Sequence, residues 1–259
     1  MGKMKRRAQR SSASLMYLYT RTNNPGLINH NVHLLVVKNP KYASLARICL
    51  ESFLFYNPNS TATVHCDLAT LVPVERSLKK LINRGLVIVS ANLASENQAW
   101  QEQKLNLIIG LRGTKSIFMD ADLRWNGMLK EMREVTFFVK EFDFNSQSKY
   151  QTFLGHVFTD GHPLGSMKNT SFFTWSGKNI SDEEIMQIFQ AYRKLLKGSE
   201  VLMTEPEDQN GMKRISEQLA LSVVSESWRH KIDYLKEIDG FRDGEFVESS
   251  YFGATGSEF

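Results

Sequence analysis

From Val32 to Met119, four apolar runs of strand length alternate with three segments whose apolar residues recur at helical spacing. The runs are Val32–Val37, Thr63–Asp67, Leu86–Val89 and Ser116–Met119. Between them lie Tyr42–Tyr56, with Leu45, Ile48, Cys49 and Phe53 in register, then Val74–Asn83 and Gln98–Leu111. Asn57-Pro58 stops the first of these helices, and Gly85 and Gly113 follow the other two. Strands feeding helices feeding strands leave few solutions. The pattern predicts an α/β fold with a mostly parallel central sheet flanked by helices, its crossovers right-handed. The continuous apolar run at Val32–Val37 predicts a strand buried on both faces.

The second half is less regular. Thr136–Asp143, Tyr150–Thr159 and Thr170–Ser176 read as strands, Asp182–Leu196 and Met212–Ser225 as helices, and Gly240–Phe259 as loop. A length of 259 residues suits one domain over 29–259, preceded by an arm over 1–28. That arm carries Lys3, Lys5, Arg6, Arg7 and Arg10 with no acid among its first ten residues. It accounts for the net charge of +4, so the rest of the chain is close to neutral and reads as no nucleic-acid binder. Leu15–Tyr19 is too short and too aromatic for the core of a signal peptide, and no apolar run approaches the length of a membrane span. Cys49 and Cys66 cannot build a disulfide framework and read as buried thiols. The expected location is cytoplasmic, and the sequons at Asn59, Asn169 and Asn179 are read as chance.

The chemistry concentrates in Lys115-Ser-Ile-Phe-Met-Asp-Ala-Asp-Leu-Arg-Trp125. An apolar strand here ends on two carboxylates, Asp120 and Asp122, at the sheet edge where open α/β folds bind ligands. Two carboxylates two residues apart repel unless a cation joins them. Hard oxygen donors suit Mg2+ or Mn2+, which commonly complete their shells with phosphate oxygens.

The element order and the segment "IFMDADLRW" resemble a nucleotide-sugar glycosyltransferase of the GT-A fold, over roughly residues 32–226. The resemblance implies that Asp122 ligates a divalent cation held by the donor's diphosphate, and that Asp120 contacts ribose, sugar or the same cation. It places Lys38, Asn39 and Tyr42 beside the nucleotide base and ribose, Asp67 as an acceptor for base or ribose, and Lys104 near the nucleotide or sugar. Asn169-Thr-Ser-Phe-Phe-Thr-Trp175 looks like the strand lining the donor and acceptor pocket, with at least one of Phe172 and Phe173 in the core. Glu217, followed by Gln218, is the first candidate for the catalytic residue, and Asp208, after Glu207, the second.

What the resemblance implies is a metal-dependent transfer of a sugar from a nucleoside-diphosphate donor, a UDP-sugar first, to a hydroxyl acceptor such as a glycan. One departure stands out. The late His that many such enzymes use as a metal ligand is missing from Ser249-Ser250-Tyr251-Phe252-Gly253, and His156, His162 and His230 are not assigned to the metal. Two alternatives remain: a phosphatase or phosphotransferase of the haloacid-dehalogenase type, and a sugar-nucleotide-binding protein without catalysis. Walker and Rossmann phosphate loops and a Gly-x-Ser-x-Gly elbow are all absent from the sequence.

Overall fold

The computed structural model describes residues 28–91, 98–125, 127–143, 148–158, 166–235 and 246–248. In chain order the elements are β1 (Asn31–Val36), α1 (Tyr42–Tyr56), β2 (Thr61–Cys66), α2 (Leu68–Ile82), β3 (Val87–Ser90), α3 (Trp100–Gly110), β4 (Ile117–Met119) and β5 (Leu123–Trp125). Then come β6 (Val135–Phe137), β7 (Lys140–Asp143), α4 (Ser148–Val157), β8 (Ser166–Lys168), β9 (Phe172–Thr174), α5 (Asp182–Leu202), α6 (Pro206–Ser225), β10 (Ile232–Tyr234) and β11 (Phe246–Glu248). The fold class is α/β, with mostly parallel central strands and flanking helices. The chain divides into two compact units, the first formed by residues 1–92, 121–131 and 240–259, the second by 93–120 and 132–239. All but Ile28 of the expected arm 1–28 lies outside the described residues, as do residues 92–97 and 159–165. Among the described residues, no helix is long and apolar enough to cross a membrane.

In the first unit β1, β2 and β3 pair in parallel, Leu34 opposite Val64 and Val64 opposite Val89. Helix α1 buries Ala43, Ala46, Cys49, Leu50, Phe53 and Leu54, the spacing of one helical face. Asn57 ends it: its backbone N–H donates to Phe53 O at 2.9 Å, and its Oδ1 accepts from Leu129 N at 2.8 Å. Phe53 meets Trp125 of β5 edge to face at 5.1 Å. Truncating so buried a ring costs about 3–5 kcal/mol.

The expectation that β1 is buried on both faces is corrected. Val32, Leu34 and Val36 are buried, but Asn31 is exposed and His33 and Leu35 are half-buried, as are Thr61, Thr63 and His65 beside them. An apolar run does not distinguish one covered face from two when Leu35 occupies the outer face. On that face His33 and His65 lie end to end, nearly coplanar at 19°, with His33 Nδ1 2.9 Å from His65 Nε2.

In the second unit β6 runs parallel to β10 and antiparallel to β9, which is antiparallel to β4. Phe137, Phe173, Trp175 and Trp228 form its aromatic core, and Trp175 Nε1 donates to Ile108 O at 2.7 Å. Phe172, Phe173 and Trp175 are all buried, which meets the expectation that at least one of the two phenylalanines packs in the core. A further correction concerns Tyr150–Thr159, expected as a strand: Ser148–Val157 is helix α4. Its aromatic and β-branched content suggests a strand, but Tyr150, Phe153, Leu154 and Val157 keep helical spacing, and the spacing prevails. The strand expected over Thr136–Asp143 is two, β6 and β7. Within Gly240–Phe259, expected as loop, Phe246–Glu248 pairs antiparallel with β5, in the first unit.

Two helices start earlier than apolar periodicity predicts. Helix α2 begins at Leu68, capped by Asp67, and α6 at Pro206. Proline suits a first helical turn because its missing N–H has no partner there to lose. Helix α5 starts on a reciprocal capping box between Ser181 and Glu184. It lies so close to α4 that a Cβ on Gly198 would stand 2.5 Å from Val157 Cγ2.

Candidate functional site

The second unit holds a cluster of buried charge. Lys104 sits on α3 with its side chain 3% exposed. Its Nζ lies 2.9 Å from both Asp120 oxygens and 3.5 Å from Glu217 Oε1, and 5.1 Å from the centre of the Phe118 ring. Helix α3 packs against α6, which brings Glu217 to the lysine, while β4 delivers Asp120 one residue past its end. Asp120 is 28% exposed, so one carboxylate of the cluster meets solvent and the other is sealed at 0%.

Backbone bonds fix Asp120 in turn. Its N–H donates to Ser171 O at 2.7 Å, and Ser171 N–H donates to Asn169 Oδ1 at 2.6 Å. Asn169 Nδ2 donates to Glu141 Oε1 at 2.6 Å, and its backbone pairs with Phe138 and Val139. The structure therefore places Asn169 as the brace of the turn that holds Asp120, with its side-chain oxygen and nitrogen both engaged.

Glu217 is held less closely, with the Lys104 ammonium 3.5 Å from its Oε1. Neither of its carboxylate oxygens accepts a hydrogen bond from a described residue. Burial pushes its carboxyl up to about 7, against the opposing pull of the Lys104 charge. Tyr192 of α5, which the sequence reading did not select, belongs to the same environment. Burial, together with the charges of Glu102 and Glu217, pushes its phenol up to about 12. Its only sequence signal is its place in the core-spaced series Ile188, Ala191, Tyr192 and Leu195, where a tyrosine reads as packing.

The two candidate catalytic acids do not meet. Both lie on α6, with half-buried Asp208 in its first turn. Nine residues separate them, a rise of about 13 Å and half a turn away in azimuth. They face opposite sides of one helix, so they do not serve one reacting atom together.

In the first unit the end of β1 forms a tight turn. Asn39 N–H donates to Val37 O at 2.7 Å across Lys38, whose φ is +66°. This three-residue turn is rare for a side chain larger than glycine. Asp67 stabilises it by accepting the Lys38 N–H at 2.8 Å on Oδ2. On Oδ1 it accepts the Thr70 N–H at 2.9 Å and the Thr70 hydroxyl at 2.7 Å, which caps α2. Asp67 is 5% exposed. Burial would raise its carboxyl, but the Thr70 and Lys38 hydrogen bonds and the Lys38 charge hold it below the ordinary carboxylate value. Lys38 and Asn39 are exposed, and Tyr42, at the start of α1, is half-buried.

The donor chemistry of Asp120 and Asp122 suits a hard divalent cation. Among the described residues there is no group of three or more His, Cys, Asp and Glu able to hold a metal ion. Mg2+ and Mn2+ sites of one or two carboxylates, completed by phosphate and water, do not need one. His230 Nε2 donates to Asn179 O at 3.2 Å.

No protein-family model matches the sequence, and no curated protein matches it. Among solved structures the chain is similar to the galactosyltransferase LgtC in complex with donor and acceptor sugar analogues, at 11% identity and a TM-score of 0.46 over 70% of this chain and 69% of that one. It is also similar to the PaToxG glycosyltransferase, at 11% identity and a TM-score of 0.38 over 84% and 79%. A third is the mannosyltransferase PcManGT from Pyrobaculum calidifontis, solved with GDP-mannose and Mn2+, at 10% identity and a TM-score of 0.32 over 85% and 82%. Overlaps this loose establish neither a shared fold family nor a shared activity.

Proposed function

We propose that this chain is a metal-dependent glycosyltransferase of the GT-A type, moving a sugar from a nucleoside-diphosphate donor, a UDP-sugar first, to a hydroxyl acceptor such as a glycan. The observation that carries the reading is a buried lysine locked onto a carboxylate one residue beyond a central strand of an α/β fold. Such a fold binds ligands at the carboxyl ends of its strands. A positive charge held there suits the negative oxygens of a diphosphate.

Asp122, with Asp120, would hold Mn2+ or Mg2+, which when bound offsets the charge developing on the departing diphosphate. The chain's own residues would orient the donor. Lys104 places its charge beside Asp120, and Asn169 holds the turn that aims it. The exposed Lys38 and Asn39, with Tyr42, are proposed for nucleotide contacts. Asp67 would act by keeping the Lys38 turn in its unusual conformation. Of the two candidate catalytic acids, Asp208 is the one that solvent reaches.

Thermal stability against a panel of nucleotides and nucleotide sugars, with and without Mn2+, tests the reading. A ligand at a hundred times its dissociation constant adds about 2.7 kcal/mol, a shift of several degrees. A metal-dependent shift with one nucleoside diphosphate or its sugar is expected, and Asp122→Ala should abolish it while leaving the metal-free melt nearly unchanged. A metal-dependent shift that persists in Asp122→Ala overturns the assignment. Turnover of phosphate esters without any nucleotide response points instead to the phosphatase class.

A further inference from the structure

Glu217 poses a physical problem. A carboxylate sealed from water is ordinarily matched by hydrogen bonds or by a close ion pair. Here both oxygens lack a hydrogen bond from any described residue, and the cation beside them, Lys104, leans the other way. Its Nζ is 2.9 Å from each oxygen of Asp120 and 3.5 Å from Glu217. Lys104 thus occupies with its own positive charge the carboxylate that a divalent cation would need. A cation arriving at Asp120 has to displace it. For a lysine only 3% exposed, giving up a carboxylate at 2.9 Å is costly unless another carboxylate draws closer.

We propose that Glu217 is the second seat for Lys104: when a divalent cation takes the Asp120 carboxylate, the Lys104 ammonium shifts onto Glu217 and stays inside the cluster. The proposal rests on the metal-dependent reading above and deepens it. It makes Glu217 a positioning residue that acts through Lys104. The shift is short, because the ammonium is already within 3.5 Å of its new partner and turns about a flexible four-carbon stem. The move breaks no covalent bond and leaves the count of charges unchanged. It also gives a purpose to a buried carboxylate that in the resting cluster has only the longer Lys104 contact and no hydrogen bond from a described residue.

The test is Mn2+ binding to the nucleotide-free protein, read by calorimetry, in a cycle of Glu217→Gln and Lys104→Met. Glu217→Gln keeps the shape and removes the second seat, so Mn2+ should bind at least tenfold more weakly than to the wild type. Lys104→Met removes the competing ammonium and should bind Mn2+ as tightly as the wild type or more tightly. Adding Glu217→Gln to Lys104→Met should then change the affinity less than twofold. An equal loss from Glu217→Gln in both backgrounds, or no loss in either, overturns the proposal while leaving the metal reading intact. A wild type that binds no Mn2+ on its own overturns the proposal, and one that also binds none with nucleoside diphosphates present overturns both. Metal-free Glu217→Gln should melt no lower than the wild type, and a large fall would make Glu217 a structural partner of the resting cluster and end the proposal.

Discussion

Each of the two units buries a carboxylate, and the two are treated in opposite ways. Asp67 in the first unit accepts three hydrogen bonds and is held below the ordinary carboxylate value. Glu217 in the second accepts none from described residues and is pushed up to about 7. At Glu217 burial dominates, whereas at Asp67 hydrogen-bond donors outweigh it. Asp67 sits where a helix start and a strand end both present N–H groups, and it binds the fold together. Glu217 sits mid-helix, where the neighbouring N–H groups are already spent on the helix itself. The first arrangement serves architecture, and the second leaves a charge available for change.

The largest expected effect breaks the second arrangement at its cation. Lys104→Met leaves two carboxylates without their shared partner and should cost about 3 kcal/mol in denaturant unfolding at neutral pH. The double variant with Glu217→Gln should recover much of that loss. Next, Asp67→Ala removes the side-chain cap of α2 and the carboxylate that accepts the Lys38 N–H, for a loss of about 2 kcal/mol. Asp67→Asn, which keeps one acceptor oxygen, should lose less. If Asp67→Ala were as mild as a surface change, the contrast between the two carboxylates would collapse.

The pH dependence sharpens the comparison because the signs differ. Glu217 has a folded value above its ordinary one, near 4.5, so its contribution falls as pH rises from there to about 7 and is constant beyond. Glu217→Gln should therefore match the wild type near pH 4.5 and exceed it by about 1–2 kcal/mol at pH 8, the amide keeping part of the desolvation cost. Asp67 is shifted downwards, so its contribution is full above the ordinary value and is lost only as pH falls through the lower folded one. The smallest effect comes from the histidine pair of the first unit. Burial holds both rings below 6.5, and burial with the neighbouring His33 charge takes His65 to about 4. Stability should fall by about 1 kcal/mol as pH drops from 6.5 towards 4, after allowance for the solvent these half-buried rings meet. His65→Gln should flatten that slope in a pH series of melts.

How far the sequence could be read depended on what each signal measures. Periodicity reports which face is apolar, so the strands and helices up to Met119 were legible from it. The start of α2 was not, because it is set by the Asp67 side chain reaching Thr70 and not by apolar spacing. Helix α4 was misread because β-branched and aromatic residues favour strands only when alternation supports them. In the candidate site, Asp120 was legible as a carboxylate at a strand end, and Lys104 as a base on the preceding helix. The contact between them was not, since it depends on how α3 lies over β4. The sealing of Glu217 was beyond reach for the same reason: a glutamate on a helix looks identical in sequence whether it faces water or the core. Tyr192 was hidden by its own surroundings, a polar tip on an apolar stripe.

The placement of sulfur has a practical consequence. The chain has two cysteines, Cys49 on α1 and Cys66 at the end of β2, both buried in the first unit. Burial and the nearby charges of Asp67 and Glu75 push the Cys66 thiol up to about 11, where little thiolate is present at neutral pH to react. Native protein should therefore resist alkylation, and a thiol-specific label added in pulses should mark a molecule only while its first unit is open. The second unit has no sulfhydryl with which to answer. Mass counting of labelled chains would thus act as a stopwatch on one half of the protein, timing its opening in the presence of ligand or metal without any engineered probe.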